Sequence, residues 1–297
     1  MNSFPIRPCG AQRRTSFATS GVASSLRRGA ALVLAALATA STADPATVSA
    51  TNAPAPRVVA CVGDSITWGG GATNSYPALL QAELGEGWKV RNFGVNSRTA
   101  RREGKEFDLR PGDLDYRKTL SYTKSLSCKP DAVVLMIGTN DSKPPNWEET
   151  GDAFREGYAA LVEDYLALDP RPVVVIGISP TVKGGGFTYG VTEKIVGGGV
   201  VPVQRRIAEE KGLPTVDCRA VLDPHMATAY SGDGLHPNAE GNALLAAAFA
   251  ARLRELFSHA EEKSHAESAE NAELESHAES AENAEPKPHA ESAEGAK

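Results

Sequence analysis

The sequence predicts an α/β protein: one three-layer α/β/α sandwich built on a five-stranded parallel sheet. Between residues 57 and 257, short apolar runs alternate with longer amphipathic ones, the pattern of parallel strands joined by right-handed helical crossovers. The most apolar run, Asp131–Ile137 (DAVVLMI), is hydrophobic almost without a break, as a strand covered on both faces must be. The length, 297 residues, fits one large domain with tails at about 100–200 residues per domain.

The elements follow in order. Val58–Val62 (VVACV) is the first strand, and Tyr76–Leu84 carries a helical pattern after it. Trp88–Phe93 (WKVRNF) is the second strand. The stretch Ser97–Pro130 is too long for a plain loop and is expected to contain a helix. Asp131–Ile137 is the third strand, and Pro172–Ile178 (PVVVIGI) is the fourth, after a helix over Asp152–Leu168. A helix near Val203–Lys211 leads to a short fifth strand, Pro214–Cys218, and the Ala- and Leu-rich Asn238–Leu256 closes the domain.

That domain is expected to occupy residues 51–258, with segments of different character on either side. Residues 1–50 carry five arginines against one aspartate, then an apolar stretch (GAALVLAALA) followed by small residues. This reads as a secretory leader; its length and its Arg- and Ser-rich, acid-poor composition also suit an organelle transit peptide. Residues 259–297 repeat with a period of twelve, SHAESAENAE at 264–273 and again at 276–285, and hold eleven Glu against three Lys. With Leu274 nearly their only sizeable apolar side chain, they are expected to be disordered. Between these ends the domain is close to neutral, so it has no electrostatic footprint for nucleic acid. No apolar run approaches the roughly 18–20 residues of a membrane-spanning helix, so no stable membrane insertion is expected.

The composition narrows the chemistry. Four of the six histidines lie in the tail, leaving His225 and His236 in the domain. Cys61, Cys128 and Cys218 are odd in number and lack metal-ligand spacing, so neither a disulfide framework nor a cofactor or metal site is expected. Cys61 and Cys218 fall in apolar runs, where a free cysteine packs as a small hydrophobe.

In an open parallel sheet, ligands bind beyond the carboxyl ends of the strands. Four polar motifs fall at those ends: Gly63-Asp64-Ser65-Ile66-Thr67, Asn92-Phe93-Gly94-Val95-Asn96, Gly138-Thr139-Asn140-Asp141, and Asp233-Gly234-Leu235-His236-Pro237-Asn238. Each alone reads as a turn rich in Gly, Asn and Asp. Their ordered placement at successive strand ends is a joint signal.

With these four blocks, residues 56–257 resemble the GDSL esterases, also called SGNH hydrolases. The resemblance implies a flavodoxin-like fold, Ser65 as nucleophile, Asp233 and His236 as the rest of a triad, and an oxyanion hole of Ser65, Gly94 and Asn140. The chemistry agrees with those residue types. A serine hydroxyl needs a neighbouring base to take its proton, an imidazole titrates near neutrality, and a carboxylate can hold its tautomer. The tetrahedral oxyanion needs N–H donors.

Other residues read more plainly: Asp64 as a local hydrogen bonder, Asp141 as a support for the Asn140 loop, and His225 as a surface residue. A rival use of Asp64, Asp141, Asp233 and His236 as ligands of a divalent metal leaves Ser65 and Asn140 unexplained. A binding module without catalysis leaves an intact Ser, Asp and His without purpose. The absence of a long apolar lid points to a small acyl group rather than the long acyl chain of a lipase substrate.

 The blocks' wording, with Gly138 to Trp147 in particular, is similar to the sialate O-acetylesterase-like, or carbohydrate acetylesterase, branch of the family. That similarity implies an acetyl ester of a carbohydrate or small molecule as substrate. Within this branch Trp147 is a candidate for stacking on a sugar ring, and the basic segment Arg98–Arg110, with Arg101 and Arg102, is a candidate for facing an acidic sugar. A lysophospholipase or thioesterase with the same triad is the alternative.

Overall fold

The structure is a computed structural model that describes residues 55–105, 114–148 and 150–282. The leader expected in residues 1–50, the end of the tail from residue 283 and residues 106–113, which include the end of the basic segment, lie outside the described residues.

β1 (Arg57–Gly63) runs into a single helical turn, α1 (Ser65–Trp68), and α2 (Tyr76–Leu84) returns the chain to β2 (Trp88–Asn92). α3 (Leu120–Ser127) precedes β3 (Ala132–Met136), and α4 (Asp152–Leu166) precedes β4 (Val173–Ile178). α5 (Glu193–Ile195) passes through a π turn at Val196–Val200 into α6 (Val201–Glu210). β5 (Thr215–Asp217), α7 (Cys218–Leu222) and α8 (Ala239–Glu282) complete the order. Every strand pair is parallel, and the sheet runs β2-β1-β3-β4-β5. The five expected strands are present with ends shifted by a residue or two, and α3 is the helix expected within Ser97–Pro130.

Side chains alternate across each strand, so each strand feeds two cores. On one face Ala60, Val62, Val133, Leu135 and Ile176 pack against Phe154, Tyr158 and Leu161 of α4 and Ile207 of α6. On the other, Val59, Cys61, Val134, Met136 and Val175 meet Tyr76 and Leu80 of α2, Leu222 of α7, and Leu245 and Phe249 of α8. β3 is buried on both faces along its whole length, which is why its sequence shows no alternation. Cys61 and Cys218 sit inside the second core, where burial pushes both thiols up.

α8 departs from the expectation. It continues past residue 258 to Glu282, through the first repeat and into the second, where the sequence argument expects a disordered tail over 259–297. Apolar burial is not the only source of helix stability here. A helix already packed through Leu245, Phe249 and Leu253 extends without a new nucleation cost, and Ala and Glu are strong helix formers.

The chain moves outward from β1 to β2, then crosses back to place β3 on the other side of β1. This reversal opens a crevice at the carboxyl ends of β1 and β3.

Candidate active site

Ser65 opens α1 directly after β1. A Cβ on Gly63 would collide with the Met136 carbonyl of β3 and with the Thr67 side chain, so glycine lets the chain turn tightly against its neighbour. Asp64 caps the turn: its Oδ1 accepts the Ile66 N–H at 3.0 Å, satisfying a donor at the helix start. Burial raises the Asp64 pKa, even though the Ile66 N–H, the His236 charge and Thr139 act the other way. Asp64 is the local hydrogen bonder that the sequence suggested.

His236 comes from the loop before α8, 171 residues from Ser65 in sequence. His236 Nε2 lies 2.8 Å from Ser65 Oγ, and its Nδ1 lies 2.6 Å from Asp233 Oδ2. The carboxylate assigns the ring proton to Nδ1, leaving Nε2 as the acceptor for the serine hydroxyl. Asp233 Oδ1 accepts the backbone N–H groups of Leu235 and His236 at 2.9 and 3.0 Å. Partial burial opposes ionisation of Asp233, but the His236 ring and these two N–H groups outweigh it, and its pKa lies below the ordinary value.

Asn140 follows β3 on a short 3₁₀ turn. Its Nδ2 donates to the Arg98 carbonyl at 3.1 Å, which leaves the second hydrogen of that amide for a ligand. Asp141 ties this turn to the 97–101 loop by accepting the N–H groups of Ala100 and Arg101 at 3.0 and 2.8 Å. Burial pushes its pKa up to about 7, with the nearby Asp64 charge adding to the effect. This is the supporting role expected of Asp141.

Gly94 requires a correction. It is buried and does not line the cavity around Ser65, and its N–H donates to Asn92 Oδ1 at 2.9 Å. A Cβ at this position would collide with the backbone of Thr67 and Trp68. The glycine is required for approach to α1, not to substrate. Asn92 secures the same contact by donating to the Thr67 and Trp68 carbonyls at 3.0 and 3.2 Å. Ser97, three residues beyond Gly94, is on the cavity wall. Its φ of 62° is left-handed, and its N–H has no partner among the described residues. A serine gives no sequence signal of that backbone state, so pattern reading passed over it.

The cavity measures about 680 Å³ and brings together Ser65, Ser97, Asn140 and His236, with Trp68, Lys143, Tyr189 and Leu235 among its walls. Trp147, Arg101 and Arg102 are not on it. Trp147 packs against Phe154, with ring centroids 6.1 Å apart, and fills the space beside Gly151 and Gly199. Arg101 pairs with Glu148 at 3.1 Å and donates to the Asn146 carbonyl, while Arg102 is exposed. His225 is also exposed, on the turn after α7. Among the described residues no group of three His, Cys, Asp or Glu side chains is arranged to hold a metal ion.

The sequence pattern of the GDSL-like lipase/acylhydrolase family matches residues 61–244. An acetylxylan esterase from Xylanibacter ruminicola is 31% identical over 225 residues, which are 68% of this chain and 45% of that protein. The chain thus spans about half the length of the curated relative it matches. Among solved structures, a candidate arylesterase from Agrobacterium tumefaciens is 28% identical with a TM-score of 0.55, covering 67% of this chain and 99% of its own. A carbohydrate acetylesterase family member from Sinorhizobium meliloti, 24% identical, shares the fold with a TM-score of 0.56 over 68% of this chain and 99% of its own. The matched span contains Ser65, Asn140, Asp233 and His236, and by it the chain belongs to the GDSL-like lipase/acylhydrolase family.

Proposed function

We propose that the chain is a serine esterase that removes small acyl groups, acetyl above all, from a carbohydrate alcohol. The observation that carries this reading is the continuous relay from Asp233 through His236 to Ser65, at 2.6 and 2.8 Å. His236 Nε2 takes the Ser65 proton as Oγ adds to the ester carbonyl. The oxyanion is met by the backbone N–H groups of Ser65 and Ser97 and by the Asn140 amide, each such donor being worth about 2.7–4 kcal/mol in the transition state. Collapse expels the sugar hydroxyl, which takes its proton from the imidazolium. Water, activated by the same imidazole, then releases acetate and restores Ser65.

A carbohydrate alcohol is supported by the acetylxylan esterase relative, and a small acyl group by a cavity whose walls include Asn96, Asn140 and Ser231 rather than an apolar tunnel. The basic leader followed by an apolar stretch supports action in a secretory compartment. The test compares acetylated xylo-oligosaccharides, p-nitrophenyl acetate and p-nitrophenyl palmitate on the purified protein and on Ser65→Ala. The reading expects acetyl esters to be preferred and Ser65→Ala to lose about 10⁴-fold or more in kcat. A preference for palmitoyl esters would favour the lysophospholipase or thioesterase alternative.

A further inference from the structure

Four large apolar side chains are exposed among the described residues, and three of them gather at one place. Trp68, 39% exposed, and Tyr189, 46% exposed, both line the cavity that holds Ser65 and His236. Phe187, 69% exposed, stands edge-on against Tyr189 with ring centroids 4.8 Å apart. A soluble domain seldom collects exposed aromatic rings without a use for them.

The backbone beneath both rings is tied down. The Trp68 N–H donates to the Asp64 carbonyl at 2.9 Å, and its own carbonyl is bound by Asn92. Tyr189 sits on a turn closed by the Val191 N–H to the Thr188 carbonyl at 3.0 Å and by the Thr188 hydroxyl to the Val191 carbonyl at 2.7 Å. At the turn's centre Tyr189 and Gly190 both have left-handed φ, 57° and 81°, a state that bulky L residues avoid. The turn aims the tyrosine ring at His236, edge-on with centroids 6.3 Å apart. Polar groups stand beside the rings: the exposed side chains of Asn74 and Asn96 line the same cavity, and no hydrogen bond engages them among the described residues.

We propose that this mouth is a pyranose-binding subsite, in which the faces of Trp68 and Tyr189 receive the C–H face of a sugar ring and Asn74 and Asn96 bind its hydroxyls. The inference rests on the carbohydrate esterase reading and assigns the residues that hold the alcohol. A sugar ring has an apolar face and a polar rim, which matches aromatic rings beside amides that donate and accept. An aryl alcohol or an acyl chain would satisfy the rings but strip water from the amides without replacing their hydrogen bonds. The subsite takes the role that the sequence suggested for Trp147.

The test measures kcat and KM for Trp68→Ala, Tyr189→Ala, Asn96→Ala, Trp68→Phe and Tyr189→Phe. Its substrates are acetylated xylotriose, ethyl acetate, which has no ring, and phenyl acetate. The expected result is a drop of about tenfold in the ratio of kcat/KM for the sugar ester over ethyl acetate in each aromatic-to-alanine variant, carried by KM. Asn96→Ala should show a smaller drop, and the phenylalanine variants should recover most of the loss. If the wild type cleaves the sugar ester but the ratio stays within about twofold in both aromatic-to-alanine variants, the subsite is overturned and the esterase reading stands. If phenyl acetate alone responds, the mouth is an aryl subsite instead. A wild type that cleaves ethyl and phenyl acetates but no acetylated sugar removes the carbohydrate reading, and the subsite with it.

Discussion

On the nucleophile side of the Ser65–His236 hydrogen bond, Gly63, Asp64, Gly94, Asn140 and Asp141 are all buried, and backbone contacts fix their positions. On the base side, Ser231, Asp233 and His236 are only half-buried, Gly232 is exposed, and the neighbouring 185–189 loop is largely open to solvent. There the ring is positioned by one carboxylate, two backbone N–H groups and the Gly184 N–H to Gly234 carbonyl contact at 3.1 Å. In the proposed mechanism Asn140 lies within this packed shelf and the half-buried Ser65 and Ser97 lie at its edge, an arrangement that costs little reorganisation during reaction. His236, the proposed acid–base group, belongs to a half-buried loop beside the cavity, so the two sides should respond differently to the same kind of substitution.

The largest contrast is expected from a single added methyl group. Gly94→Ala forces a Cβ into the backbone of Thr67 and Trp68, and should cost about 1–3 kcal/mol or more along with most of the activity. Gly232→Ala on the base loop has nothing within contact distance of its Cβ, and should stay within about 0.5 kcal/mol. Urea denaturation of both variants measures the difference; similar losses would erase the distinction between the two sides.

Asn92→Ala is expected to have the next largest effect. It strips partners from the Gly94 N–H and from the Thr67 and Trp68 carbonyls, and about 1–3 kcal/mol of stability should go with them. Because those groups hold α1, kcat should fall more than KM rises. Wild-type kinetics in this variant would show that α1 is held without Asn92.

A further contrast concerns pH. Asp141 in the folded protein titrates at about 7 because burial disfavours its charge, while an unfolded aspartate titrates near about 3.9. Between these values the folded state keeps a proton that the unfolded state has lost, so this group makes stability fall as pH rises through the window and levels it above. Asp141→Asn removes that slope. Measured by urea denaturation from about pH 4 to 8, the stability of wild type relative to the variant should decline with rising pH; a steady or widening advantage would contradict the sign.

The strands were legible because parallel strands buried on both faces leave continuous apolar runs, as in Ala132–Met136. The positions of Ser65, Asp233, His236 and Asn140 were legible because polar blocks follow four of the five strands. What could not be read was local geometry. Gly94 and Ser97 differ in φ and in hydrogen bonding, and neither property is written in residue type. Trp68 and Trp147 are the same residue, but one stands exposed at the cavity and the other packs beside the glycine of a π turn. Arg101 looked available until the fold brought Glu148 and the Asn146 carbonyl to it.

The most direct test of the account is covalent trapping of the nucleophile. A fluorophosphonate, which reacts with a serine only when a base activates it, is incubated with the protein and the adduct is located by peptide mass spectrometry. The account predicts one adduct at Ser65, loss of esterase activity in step with its formation, and no adduct in Ser65→Ala or at appreciable rate in His236→Ala. Inactivation with the label on another residue, or full esterase activity in a protein whose Ser65 is fully modified, would contradict it.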